Sequence, residues 1–400
     1  MHKVALVFPG GGTQYVGMGK TIYDEHKEVR EIFEEANDLM QYNLKKICFE
    51  GSLDNLSAMK NSQPAIFTVS YAIYQVFKKE VGVIPSMACG HSLGEYAALT
   101  CAGALGFSDA LQLVKKRGLL LQQAGNTYDA TMMAVSKVKS EVIEEECNKV
   151  LEKGGRVYIA VYNSEKQHVI SGTRRDIDTL AAALAKRGAD PVVLNINTPS
   201  HCPLMAEAAE NFRTELQKYS CSAPAFPVIS NVSGLPYAAS DNIFDILTAH
   251  MVKPVRWLDS VRYMEQQGIT HAVEIGPQAV LKNLMPFITE KIRSFSFDIA
   301  DDITEMKQVF NSPVLTAAGI IARCMAIAVS TKNYNTDEAE FAEKVAKPYD
   351  RFRELRNLVL EQPETQSAIP EAIQLLSGIL DAKRIPAAEK QKYLSDIAAG

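Results

Sequence analysis

The pentapeptide Gly90-His91-Ser92-Leu93-Gly94 constrains this chain more than any other stretch. It fits the G-x-S-x-G pattern, in which a strand turns into a helix so sharply that the serine hydroxyl stands exposed at the helix start. Both flanks agree. Residues 84–89 can end a buried strand, and residues 95–102 are rich in helix formers. The two glycines let the backbone bend where a Cβ would clash. A serine placed in this way predicts acyl chemistry through a covalent ester on Ser92. An ordinary Gly-Ser turn carries the same pattern by chance, so the rest of the chain has to decide.

The 400 residues suggest two or three domains, and 47% hydrophobic with 22% charged residues is an ordinary globular balance. A net charge of -5 argues against a chain-wide nucleic-acid surface. Met1-His2-Lys3 leads straight into a short strand with no cleavage site, so no signal peptide is expected. Seven scattered cysteines, an odd number without a Cys-x-x-Cys pair, read as thiols in a reducing compartment, and a cytoplasmic location is expected. Cys89, beside the elbow, and Cys202 are candidate nucleophiles, although small buried cysteines are far commoner.

Residues 4–8 read as a buried strand running into the glycine-rich loop Pro9-Gly10-Gly11-Gly12-Thr13-Gln14. Helical periodicity follows at 24–40, 62–80 and 108–125, the last containing Arg117. This alternation predicts an α/β fold with a mainly parallel sheet. Near Thr127 the character changes: residues 131–197 read strand, helix, strand, strand, helix, strand, the ferredoxin-like split unit. The larger fold resumes with strands at 228–231 and 272–275, and Glu274-Ile275-Gly276-Pro277 closes the last clear strand. Beyond residue 301 only helices are expected: a buried one at 313–329, amphipathic ones at 336–360 and 370–380, and a polar, frayed end at 387–400. The stretch 313–329 is interrupted by Arg323 and is short for a membrane span. The expected organisation is a core of 1–126 and 199–300, an inserted subdomain of 127–198, and a helical C-terminal extension of 301–400.

A serine hydroxyl needs a base within hydrogen-bond reach. Of seven histidines, His91 is adjacent to Ser92 on a tight turn, where neighbours point apart, and His2, His26, His168 and His271 lie at a terminus, on a polar helix or at strand edges. His201 follows Asn197-Thr198-Pro199-Ser200, the loop leaving the inserted unit, and domain junctions favour active-site clefts. Position therefore raises His201, although any single histidine is more often structural. Residues 14–21 nearly match a phosphate-binding loop, but Gln14 stands where its first glycine is required, and nucleotide binding is rejected. A better use of the loop is an oxyanion hole, with one backbone amide from Leu93 and another from near Gly11. Arg117 can hold a carboxylate when buried. Its spacing beside Lys115 and Lys116, however, favours a solvated side chain.

Together these residues resemble the malonyl-CoA:acyl carrier protein transacylase family over roughly residues 3–300. The family's opening Phe-Pro-Gly-Gln-Gly-Ser-Gln stands here as Phe8-Pro9-Gly10-Gly11-Gly12-Thr13-Gln14, and its elbow as Gly90-His91-Ser92-Leu93-Gly94-Glu95-Tyr96. Lys116-Arg117-Gly118, Asn163-Ser164, Pro199-Ser200-His201 and Val273-Glu274-Ile275-Gly276-Pro277 fit as well. The resemblance implies an α/β-hydrolase-like core with a ferredoxin-like insert. It implies Ser92 as nucleophile, His201 as base, Gly11 and Leu93 amides as oxyanion hole, and Arg117 on the malonyl carboxylate. Gln14, His91 and Asn163 are expected around the substrate. A carbonyl near His250 is expected to steady the catalytic histidine. Two departures stand out: Gly11 replaces a glutamine, and so does His250. The implied partners are malonyl-CoA and the phosphopantetheine of an acyl carrier protein, with no bound cofactor, metal, nucleic acid or membrane. The long tail and overall similarity suggest a free-standing enzyme serving an iturin-type lipopeptide or polyketide synthase in trans. Two alternatives are an acyl hydrolase that clears carrier proteins, and a non-catalytic docking partner whose C-terminal helices form the contact.

Overall fold

The computed structural model describes residues 2–311, 317–362, 365 and 367–398. Two compact units divide between Lys307 and Gln308. The strands in chain order are β1 (Val4–Phe8), β2 (Met87–Gly90), β3 (Ala130–Ser136), β4 (Val157–Ser164), β5 (Gln167–Thr173), β6 (Asp190–Val193), β7 (Val228–Ile229), β8 (His271–Glu274) and β9 (Arg293–Ser296).

One sheet has the order β7-β2-β1-β8-β9, and every pairing in it is parallel. Its central strand β1 is apolar at all five positions and buried throughout, as a parallel strand covered on both faces must be. The helices Met59–Glu80, Gly94–Cys101, Phe107–Tyr128 and Trp257–Gln266 supply much of that cover.

The second sheet is antiparallel with the order β4-β5-β3-β6. Two helices, Ser140–Leu151 and Arg174–Lys186, bury Ile143, Cys147, Ile177, Leu180 and Leu184 against Met133, Val135 and Ile170. Strand alternation then decides what the other face does. Met132 and Val169, the neighbours of Met133 and Ile170, point the opposite way and line the cavity over Ser92. The fold is thus an α/β-hydrolase-like parallel core with a ferredoxin-like insert.

The C-terminal unit is helical among its described residues. Helices Ala317–Ser330, Lys347–Glu361 and Ala368–Ala382 share a core that includes Ile321, Cys324, Phe352, Leu355, Leu376 and Ile379. Buried Lys383 donates from Nζ to the carbonyls of Ala328 and Thr331 at 2.6 and 2.8 Å, closing the end of the first of these helices.

Several expectations change. Residues 84–86 precede β2, and Ile84 is 87% exposed. The strand expected over 191–197 ends at Val193, which frees Leu194 and Ile196 to line the cavity. β9 follows what was expected to be the last strand; at four residues, Arg-Ser-Phe-Ser, it is too short to carry a periodic signal. The end expected to fray is a helix over Ala387–Ala398, anchored by buried Ile397. Residues 313–316 of the expected buried helix lie outside the described residues.

Candidate active site

Ser92 sits between the end of β2 and the helix Gly94–Cys101, with φ of 53°. That left-handed backbone is strained for a residue with a side chain and survives only where surroundings hold it. Close packing does part of the holding: a Cβ on Gly94 would lie 2.0 Å from the Phe8 carbonyl oxygen. Asn231 does another part. Its Oδ1 accepts from the Ser92 amide at 2.7 Å, and its Nδ2 donates to the Gly90 carbonyl at 2.6 Å. Glu95 Oε1 in turn accepts from the Asn231 amide at 3.1 Å and from the Tyr237 hydroxyl at 2.7 Å.

His201 Nε2 lies 2.7 Å from Ser92 Oγ, and its Nδ1 lies 2.9 Å from the His250 carbonyl. A carbonyl only accepts, so Nδ1 carries the hydrogen and Nε2 is left to accept from the serine. Like Ser92, His201 is left-handed, with φ of 61°. Its loop passes close over the helix Phe107–Tyr128, where a Cβ on Gly125 would be 1.8 Å from the Asn197 carbonyl oxygen. Burial, followed by the neighbouring charges of His250 and Arg117, pushes the His201 pKa well below its ordinary value. The ring is therefore neutral at physiological pH.

Arg117 corrects the reading from spacing. It is 2% exposed, not solvated, because its helix packs along Met59–Glu80. Its Nη2 donates to Ser92 Oγ at 3.1 Å, and its Nη1 donates to Gln63 Oε1. The Tyr96 ring lies 5.6 Å from the guanidinium carbon. Among the described residues Arg117 forms no ion pair, which is unusual for a buried cation.

Ser92, His201, Arg117, His91 and Gly11 line one cavity of about 130 Å³, walled by apolar side chains of the second sheet. A groove of about 460 Å³ shares Gly11, His91, Val169 and Leu194 with it and runs out to Phe287, which is 75% exposed. Asn163 stands in that groove, 3.0 Å from His91 Nε2. Burial lowers the pKa of His91, so its ring is neutral and donates to the Asn163 carboxamide oxygen. Among the described residues neither the Gly11 nor the Leu93 amide donates to a protein acceptor, although the Gly94 and Glu95 amides beside them close turns. Gln14 lines neither space. It bonds Ser57 Oγ and the Gly12 amide, bracing the glycine-rich loop from behind. Burial pushes the Cys202 thiol up to about 12 and raises Cys89 as well, so neither is poised as a nucleophile.

Three residues of the site escaped the sequence reading. Gln63 lies in a helix whose periodicity looked like plain core. Glu95 looked like a helix former, and Asn231 like the end of a strand.

An α/β core with a serine at its nucleophile elbow defines the class. Residues 5–309 match the acyl transferase domain family. A malonyl CoA-acyl carrier protein transacylase of Bacillus subtilis is 34% identical over 400 residues, spanning 98% of this chain and 100% of that protein. The transacylase of the same name from Escherichia coli is 37% identical over 294 residues, 73% of this chain and 94% of its own length. A malonyl-transacylase solved in complex with a type II PKS acyl-carrier protein superposes with a TM-score of 0.74 at 33% identity, covering 76% of this chain and 99% of that one. The chain belongs to the acyl transferase family, within its malonyl-CoA-acyl carrier protein transacylases.

Proposed function

We propose that this protein transfers a malonyl group from malonyl-CoA to the phosphopantetheine thiol of an acyl carrier protein, by a ping-pong route through an ester on Ser92. The names of its relatives support the donor and the acceptor. The observation that carries the reading is Arg117, a buried guanidinium without an anionic partner, 3.1 Å from the nucleophile. A free carboxylate on the acyl group supplies that partner through two parallel hydrogen bonds.

In the first half-reaction Ser92 Oγ attacks the thioester carbonyl while His201 Nε2 takes its proton. The oxyanion rests on the Gly11 and Leu93 amides. It collapses with loss of CoA, whose sulfur receives the proton from His201. In the second half, His201 deprotonates the carrier thiol, which attacks the malonyl ester, and Ser92 Oγ leaves with the proton returned from His201. The groove past Asn163 to Phe287 suits the amide-bearing arm that CoA and the carrier share. His91 and Asn163 border the acyl position, the core of 1–126 and 199–300 carries nucleophile and base, and the insert of 127–198 roofs the cavity. Gln14 serves indirectly, by holding the loop that carries Gly11.

We further read the protein as acting in trans for a polyketide or lipopeptide synthase. The support is a C-terminal unit with its own core, beyond the end of the family match at residue 309. A cytoplasmic setting accords with seven free cysteines. No described helix is long and apolar enough to cross a membrane.

Arg117→Ala tests the reading. Losing charged hydrogen bonds should slow loading from malonyl-CoA about 10- to 100-fold while sparing acetyl-CoA. Equal losses for the two donors contradict the carboxylate role.

A further inference from the structure

The carbonyl of His250 orients the base, but its side chain has a separate place in the site. The His250 ring lies against the His201 ring, with centroids 4.8 Å apart and planes inclined by 28°. Its Nδ1 is 3.0 Å from Glu95 Oε2, and both residues are buried, at 1% and 0% exposure. That approach lacks hydrogen-bond alignment, so the attraction is chiefly electrostatic. Glu95 also reaches the nucleophile, through Asn231 to the Ser92 amide. One buried carboxylate thus touches both lines of support, to the serine and to its base.

We propose that Glu95 and His250 are a positioning pair: the His250 ring, drawn to the Glu95 carboxylate and lying face to face with His201, keeps the base neutral and aimed at Ser92. This rests on His201 being the base. The role belongs to the side chains and is additional to the carbonyl contact, which any residue at position 250 supplies. Several charged and titratable groups surround the pair. His201 faces His250, Arg117 and His91; the His250 ring faces Glu95 and His91; Glu95 also faces Arg117, Tyr96 and Cys89, with the Tyr237 hydroxyl bonded to its Oε1. The His250 ring beside His201 opposes a second proton there. With a neutral residue at 250, Glu95 keeps only the Arg117 guanidinium as a cationic neighbour, and its charge near the base favours that second proton. Both effects act in the same direction.

The test is the pH dependence of kcat/KM for malonyl loading, measured on the full-length protein and on His250→Gln and His250→Phe. Glutamine keeps the backbone carbonyl and removes the imidazole. Phenylalanine keeps a stacking ring without the charge. The acid limb should move upward by about one pH unit in both variants. Whichever variant folds can be read alone. A slower enzyme whose acid limb stays at the wild-type position shows a packing role and overturns the proposal. If loading by His201→Ala follows the same pH profile as wild type, the underlying assignment of the base fails instead, and the two failures are distinguishable.

Discussion

Ser92 and His201, 109 positions apart in the chain, meet with Oγ and Nε2 at 2.7 Å while both backbones occupy the left-handed region. Neither conformation is favourable for these residue types, so each is held by its surroundings. For Ser92 these are the Gly94 contact and Asn231; for His201 they include the His250 carbonyl and the loop over Gly125.

The pH dependence of loading follows from the environment of His201. Burial is the largest influence and lowers its pKa well below 6.5; His250 and Arg117 act in the same direction. A base with a depressed pKa is active at neutral pH and loses activity as pH falls through that lowered value. The kcat/KM for malonyl loading should therefore be flat across the neutral range and drop with a one-proton slope below pH 6.5. An acid limb centred above that value contradicts the account.

Asn231→Ala should lower stability and loading together. It strips the Ser92 amide and the Gly90 carbonyl of their side-chain partners. Each buried polar group left unpaired costs about 1–3 kcal/mol. Denaturant unfolding should show a loss on the order of 2–6 kcal/mol. An unchanged midpoint means that the elbow does not depend on this side chain.

Two glycines should respond in opposite ways. Gly94→Ala drives a Cβ to within 2.0 Å of the Phe8 carbonyl, a backbone clash that cannot relax through a side chain. A loss of more than about 4 kcal/mol is expected, seen as insoluble or unfolded protein. At Gly11 a Cβ meets only the Gln63 carboxamide, at 3.6 Å. Gly11→Gln should keep stability and retain loading, because the contribution comes from the amide. Thermal melting and loading rates of the two variants decide this.

Much of this site was legible in the sequence because its motifs are local. The elbow, the glycine-rich loop and the Ser200-His201 pair each fit within a few residues, and the α/β alternation is written in hydrophobic periods. The burial of Arg117 was not legible, since it depends on two helices, Phe107–Tyr128 and Met59–Glu80, packing side by side. Glu95 and Asn231 escaped for the same reason. Their hydrogen-bond partners lie 136 to 142 positions away, and neither residue type is unusual where it stands. Strand β9 was missed because four residues at a sheet edge carry too little pattern.

The most direct test of the central claim is the intact-protein mass after brief mixing with malonyl-CoA, run beside acetyl-CoA and a Ser92→Ala control. The account predicts a single malonyl adduct that is strong with malonyl-CoA, weak with acetyl-CoA and absent from the control. An adduct that persists in Ser92→Ala, or turnover to free malonate with no adduct, contradicts it.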